Sequence, residues 1–158
     1  MNALVDFLFG ARPRVAHQGE ARIVLDKPPR HVQWRKVQVR PDHEPIRAWR
    51  AEADRDVETD HGMLHARGGH DMIVAYGPQD YGVIRREIFD RMYVALGGGL
   101  YRKREDVILR YFICERPCSV VTLEGAQDAE PGDWIMQGVT GELWPVRPEK
   151  AERKYRHV

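Results

Sequence analysis

Serine is almost missing from this chain of 158 residues, with Ser119 its single example. Cysteine is nearly as scarce, with only Cys114 and Cys118. No apolar run approaches the twenty or so residues that a membrane-crossing helix needs. Charge of either sign is not in excess: 25 Lys and Arg face 24 Asp and Glu. The balance is also local, at 5 against 3 in residues 1–33, 10 against 11 in 34–96 and 10 against 10 in 97–158.

Each shortage narrows the function. A nucleic-acid binder carries a basic excess, so the even balance argues against that class. The scarce hydroxyl and thiol nucleophiles have no histidine beside them in sequence, so no nucleophilic arrangement stands out and no catalytic residue is assigned. Four ligands do not gather around the two cysteines, which argues against a structural zinc. If Cys114 and Cys118 share an extended strand, they stand roughly 13 Å apart, beyond disulfide reach. Two reduced, partly buried thiols are expected. Residues 1–10, MNALVDFLFG, lack a positive leader and are interrupted by Asp6. They are expected to form a short helix docked on the body, not a signal peptide. A partner or membrane contact through this apolar end is the sharper alternative.

What the chain does have is an internal echo. At an offset of 63, Val57, Thr59, Gly62, Ala66 and Gly69 fall on Val120, Thr122, Gly125, Ala129 and Gly132. His70 is one extra residue. Beyond it Asp71, Ile73, Arg85, Glu87, Arg91 and Tyr93 fall on Asp133, Ile135, Arg147, Glu149, Arg153 and Tyr155. That makes eleven identities over 37 positions, where ordinary residue usage gives about two. A fixed period near sixty residues implies two copies of one unit. A unit of that size is marginal alone, so the copies are expected to pack as one pseudo-two-fold body. The partition is 1–33 as an N-terminal helix, strand and proline-containing connector, 34–96 as the first module and 97–158 as the second. Trp34-Arg35-Lys36 is set against Tyr101-Arg102-Lys103 as the start of each.

Short β-branched and aromatic runs between glycine turns predict strands near Ala21–Leu25, Ile46–Arg50, Val107–Cys114 and onward through each module. A helix over Arg85–Leu96 follows from Ile88, Phe89, Met92, Tyr93 and Leu96 on one face, with Gly97-Gly98-Gly99 as its stop and the joint between modules. Pro148 opens the matching second helix. The expected fold class is α+β, mainly β: two tandem sheet or barrel-like modules, each closed by a short helix.

Gly77-Pro78-Gln79-Asp80-Tyr81-Gly82-Val83 resembles the PGDYG signature of a family of small bacterial proteins. Pro131-Gly132-Asp133-Trp134-Ile135 is similar to a related PGD-aromatic-Ile motif, found also in small phage-encoded proteins. The resemblance spans roughly Trp34 to Tyr155 and implies a β-rich module without implying a reaction. Gln79 departs from it, standing where the signature has glycine. If that position normally takes a positive φ, either Gln79 is strained or the turn here is of type I.

Candidate sites come in three groups. Asp71 and Asp133 follow glycine at matching positions, as a carboxylate pair or, more simply, as acceptors of backbone N–H groups in their own turns. Trp134 and Tyr81 flank these turns as candidate binding residues. His61, His65 and His70 cluster with Asp60 and Asp71 as a weak metal alternative, set against solvent-facing histidines. Arg35, Lys36, Arg102 and Lys103 follow an aromatic residue in each module, a pattern suited to anionic ligands or single strands, or to a solvated strand start. The leading expectation is a non-enzymatic, cytoplasmic binding or interaction module needing no cofactor, its partner a protein or a second copy. A small hydrolase or metal-dependent enzyme using Asp71, Asp133 and the histidines is the alternative, and a nucleic-acid binder the third.

Overall fold

The computed structural model of the chain describes residues 21–40, 44–59 and 62–158. The helix expected over residues 1–10 lies outside them, as do Asp60 and His61. The described residues are mainly β, forming several sheets and no closed barrel, so the barrel-like form expected above gives way there to separate sheets. Compactness divides the described residues into one unit of 44–59 and 62–107 and another of 21–40 and 108–158. Residues 34–40 therefore belong with the second unit and 97–107 with the first.

The first unit holds β3 (Ile46–Arg50), β4 (Arg55–Thr59), β5 (Gly62–Ala66), β6 (Met72–Gly77), β7 (Asp80–Ile84), α1 (Arg86–Met92), β8 (Tyr93–Gly97) and β9 (Leu100–Lys103). Its sheet runs β7-β6-β3-β9-β8, and β4-β5 is a separate hairpin. Ala51, Val57, Ala66 and Ile73 form one core cluster, with Tyr81 and Val83 against it. The helix seats Ile88, Phe89 and Met92 inward, and Phe89 stacks on Tyr93 at 4.6 Å.

The second unit holds β1 (Ile23–Leu25), β2 (Arg35–Val39), β10 (Ile108–Ile113), β11 (Cys118–Thr122), β12 (Gly125–Ala129), β13 (Trp134–Gln137), β14 (Leu143–Val146), α2 (Pro148–Lys154) and β15 (Tyr155–His157). Its larger sheet runs β14-β13-β10-β2-β15, and a smaller one runs β1-β11-β12. Period-two burial is plain on β11, where Cys118, Val120 and Thr122 are buried and Val121 is exposed. Phe112, Cys114, Cys118, Val120, Ala129, Ile135 and Leu143 form the core, with Leu25, Val32 and Trp34 packed against it.

Three expectations need correction. The first helix does not reach Leu96. It stops at Met92, and Tyr93 turns extended at φ −128°, ψ 151°. Residues 93–97 then pair with β9, so a long-range ladder overrides the local helical pattern. Gly97-Gly98-Gly99 is accordingly neither a helix stop nor a joint. It is the turn of the β8–β9 hairpin, with φ of 93°, 64° and 77°, values that a side chain would strain. Finally, β2 and β9 are not matched through Trp34 and Tyr101. Val37 pairs with Leu109, while Tyr101 pairs with Ile46.

The β6–β7 turn bears out the concern over Gln79. Pro78 pre-sets a negative φ, and Gln79 follows at φ 59°, the one positive-φ non-glycine among the described residues. That is the third position of a type II turn, which favours glycine. A left-handed side chain costs about 1–2 kcal/mol, part of which the greater freedom of unfolded glycine cancels. Gln79→Gly is expected to raise Tm by about 2–4 °C in calorimetry. An unchanged or lower Tm would mean the Gln79 side chain makes a compensating contact.

Candidate functional site

In the second unit a cleft of about 800 Å³ lies between the segment 23–35 and the β10–β11 connection. Phe112, Cys114, Cys118, Leu25 and Val32 supply apolar wall. Arg30, His31, Arg35, Glu115 and Arg116 stand around it, all exposed. Three guanidiniums thus face one carboxylate. Among the described residues none of the three is ion-paired, whereas Arg22 behind Cys118 is engaged with Asp128 and Glu130.

The cleft wall includes a feature opposite to the sequence expectation. Cys114 and Cys118 do not lie on one strand. β10 ends at Ile113, β11 starts at Cys118, and Glu115–Pro117 turns the chain between them. The two sulfurs come to 3.3 Å, far inside the separation that an extended strand implies. Both thiols are free and buried. Cys114 also donates to the Arg116 carbonyl at 2.9 Å. The hydrogen bond from Cys118 pulls the Cys114 thiol below its usual range. Donating that bond, together with burial, pushes Cys118 far up. Pro117 was the available signal, because proline favours turns over central strands.

Asp133 locks this corner. Its carboxylate accepts the Glu130 N–H at 2.9 Å. Cys114 N donates to the Asp133 carbonyl and Gly132 N to the Cys114 carbonyl, both at 2.8 Å. Asp71 has the same kind of post in the first unit. It accepts the Arg67 backbone N–H at 2.8 Å and the Arg67 guanidinium at 3.1 and 2.8 Å. Burial pushes the Asp71 carboxyl up, but the Arg67 bonds and the Arg85 charge outweigh it and hold it below the usual range. Each carboxylate thus accepts a backbone N–H in its own turn, and that of Asp71 also accepts the Arg67 guanidinium.

The other candidates are scattered. Trp134 is buried and stacked on Tyr111 at 3.8 Å and 5°, and it lines neither this cleft nor the one in the first unit. Tyr81 meets Trp49 edge-on at 6.2 Å. Both border a second cleft of about 730 Å³ in the first unit, with Arg55, Asp56, Glu58 and Gln79. His65 is exposed and hydrogen-bonds Asp56 at 2.9 Å, which raises its pKa. His70 is exposed in the turn before Asp71. Among the described residues no three His, Cys, Asp or Glu side chains are grouped to hold a metal. Arg35 and Lys36 lie on β2 in the second unit, Arg102 and Lys103 on β9 in the first. No helix among the described residues is long and apolar enough to cross a membrane. Glu124, in the β11–β12 turn, has a carboxyl pushed up to about 7 by burial. The chain matches no protein-family model, no curated protein and no solved structure.

Proposed function

We propose that the chain is a non-enzymatic binding protein made of two copies of one PGDYG-type module, and that the second copy takes a small anion with an apolar body. The copy reading draws on parallel detail in the two units. Setting β9 against β2, the sheet orders β7-β6-β3-β9-β8 and β14-β13-β10-β2-β15 correspond strand for strand. Thr59 bonds the Gly62 carbonyl as Thr122 bonds that of Gly125. Ala51 N donates to the Asp71 carbonyl as Cys114 N does to that of Asp133. Arg104 N donates to Met92 as Arg40 N does to Lys154. On this reading each module's first strand sits in the other module's sheet.

The observation that carries the binding reading is the second unit's cleft, where three guanidiniums without ion pairs among the described residues border an apolar wall. Apolar surface contributes affinity and the cations select the head group. Anilinonaphthalene sulfonate, an aromatic body with one sulfonate, is a direct probe. Its fluorescence is expected to rise on mixing with the folded protein and to fall with added salt. An exposed guanidinium contact is worth up to ~1 kcal/mol. Arg30→Ser and Arg116→Ser are therefore each expected to weaken binding by up to roughly fivefold. No enhancement, or an enhancement indifferent to both substitutions, overturns the reading.

A further inference from the structure

Cys114 and Cys118 have a geometry that core packing does not require. Where the first unit corresponds, Ala51 is buried and Arg55 is exposed, so the fold is served there without sulfur. In the second unit the two sulfurs touch at 3.3 Å, and a covalent S–S bond is about 2.05 Å long. Closing the gap takes roughly 1.3 Å of approach, within reach of side-chain rotation. Both residues line the cleft, with Arg30, Arg35 and Arg116 beside it. A small disulfide bearing carboxylates could enter there with its charge matched.

We infer that Cys114 and Cys118 form a thiol–disulfide exchange site for small anionic disulfides. Cys114, as thiolate, attacks one sulfur of a disulfide RS–SR. The Cys114–SR bond forms, the RS–SR bond breaks, and RS⁻ leaves and takes up the proton that Cys114 gave to solvent. Cys118 then loses its proton and attacks the Cys114 sulfur. The Cys114–Cys118 bond forms and the second RS⁻ departs, protonated in turn. The protein dithiol is oxidised by two electrons and RS–SR is reduced to two thiols. The order of attack follows from the hydrogen bonds: the Cys114 S–H goes to the Arg116 carbonyl, which leaves Cys118 to donate across the sulfur pair, and the accepting sulfur bears charge more readily. The choice of an anionic disulfide rests on the cleft proposed above; the covalent step itself does not.

The test uses the full chain, reduced and then mixed with glutathione disulfide, followed by intact mass and peptide mapping. The native wild type is expected to lose two hydrogens in mass and to give a linked Cys114–Cys118 peptide. Cys118→Ser is expected to stop at a glutathione adduct on Cys114, and Cys114→Ser to react several-fold more slowly. Arg30→Ser together with Arg116→Ser is expected to slow the reaction several-fold with glutathione disulfide and not with neutral hydroxyethyl disulfide. A native wild type that stays reduced while the guanidinium-unfolded chain oxidises overturns the site, and this arm needs no variant to fold. Equal rates for the charge variant and wild type with the anionic disulfide overturn the ligand class. If dye binding fails while the internal disulfide forms, the binding reading falls and the exchange chemistry stands. If the dye binds and the thiols stay inert, the reverse holds.

Discussion

Trp134→Ala is expected to lower stability by roughly 3–5 kcal/mol, the range for losing a large buried aromatic. For a chain of this length that is a fall in Tm of about 6–20 °C. Trp134 is 4% exposed and lies face to face on Tyr111, which is itself fully buried. β10 and β13 are paired through this region, with Ile113 opposite Trp134 and Tyr111 opposite Met136. Truncating the indole therefore opens a void under the centre of the larger sheet. Thermal denaturation by circular dichroism gives the loss, and the near-ultraviolet signal of the stacked pair should vanish with it. Because Trp134 does not line the cleft, variant protein still folded at low temperature should bind anilinonaphthalene sulfonate as the wild type does. A small change in Tm with a large loss of dye binding would instead make Trp134 a ligand contact.

The second large effect concerns the two buried aspartates. A hydrogen bond to a charged group contributes about 1.5–3 kcal/mol, and an orphaned buried partner adds to the loss. Asp133→Ala should cost that much by leaving the Glu130 N–H without its acceptor, with dye affinity unchanged. Asp71→Asn should cost a similar amount at pH 7, and its penalty should depend on pH. The folded Asp71 carboxyl sits below its usual value, with burial opposed and outweighed by Arg67. Its contribution is thus complete above the ordinary carboxylate pKa of about 4 and is lost as pH falls through the folded value. Wild type and Asp71→Asn should therefore converge in Tm below about pH 4. A gap that persists undiminished in acid would show that Arg67 stabilises Asp71 by shape and not by charge.

Much of the strand pattern was legible in residue order. Glycine and threonine at the hairpin ends marked β4, β5, β11 and β12, and the run Ile46–Arg50 is β3 without adjustment. Both helices are legible, but apolar periodicity alone extends the first past its end at Met92. Tyr93 and Leu96 fit a helical face, yet only pairing with β9 decides that residues 93–97 are extended. That partner lies across a glycine turn, out of reach of a periodicity argument. The thiol pair was hidden by one assumption, that 114–118 continued a strand through Pro117. The cleft was invisible because Leu25, Arg30 and Val32 reach Phe112 and Cys114 from some eighty positions away in the chain.

The placement of β9 between β3 and β8, and of β2 between β10 and β15, has a practical corollary for cutting the molecule. A break after Leu96 looks like a clean seam by repeat counting. It would leave the front piece holding β2 without β10 or β15 to receive it, and lacking the strand that bridges β3 to β8. The back piece would carry β9 with nowhere to dock. Each half would expose raw sheet edges, and neither should be recoverable as a well-behaved fragment unless the two are produced together.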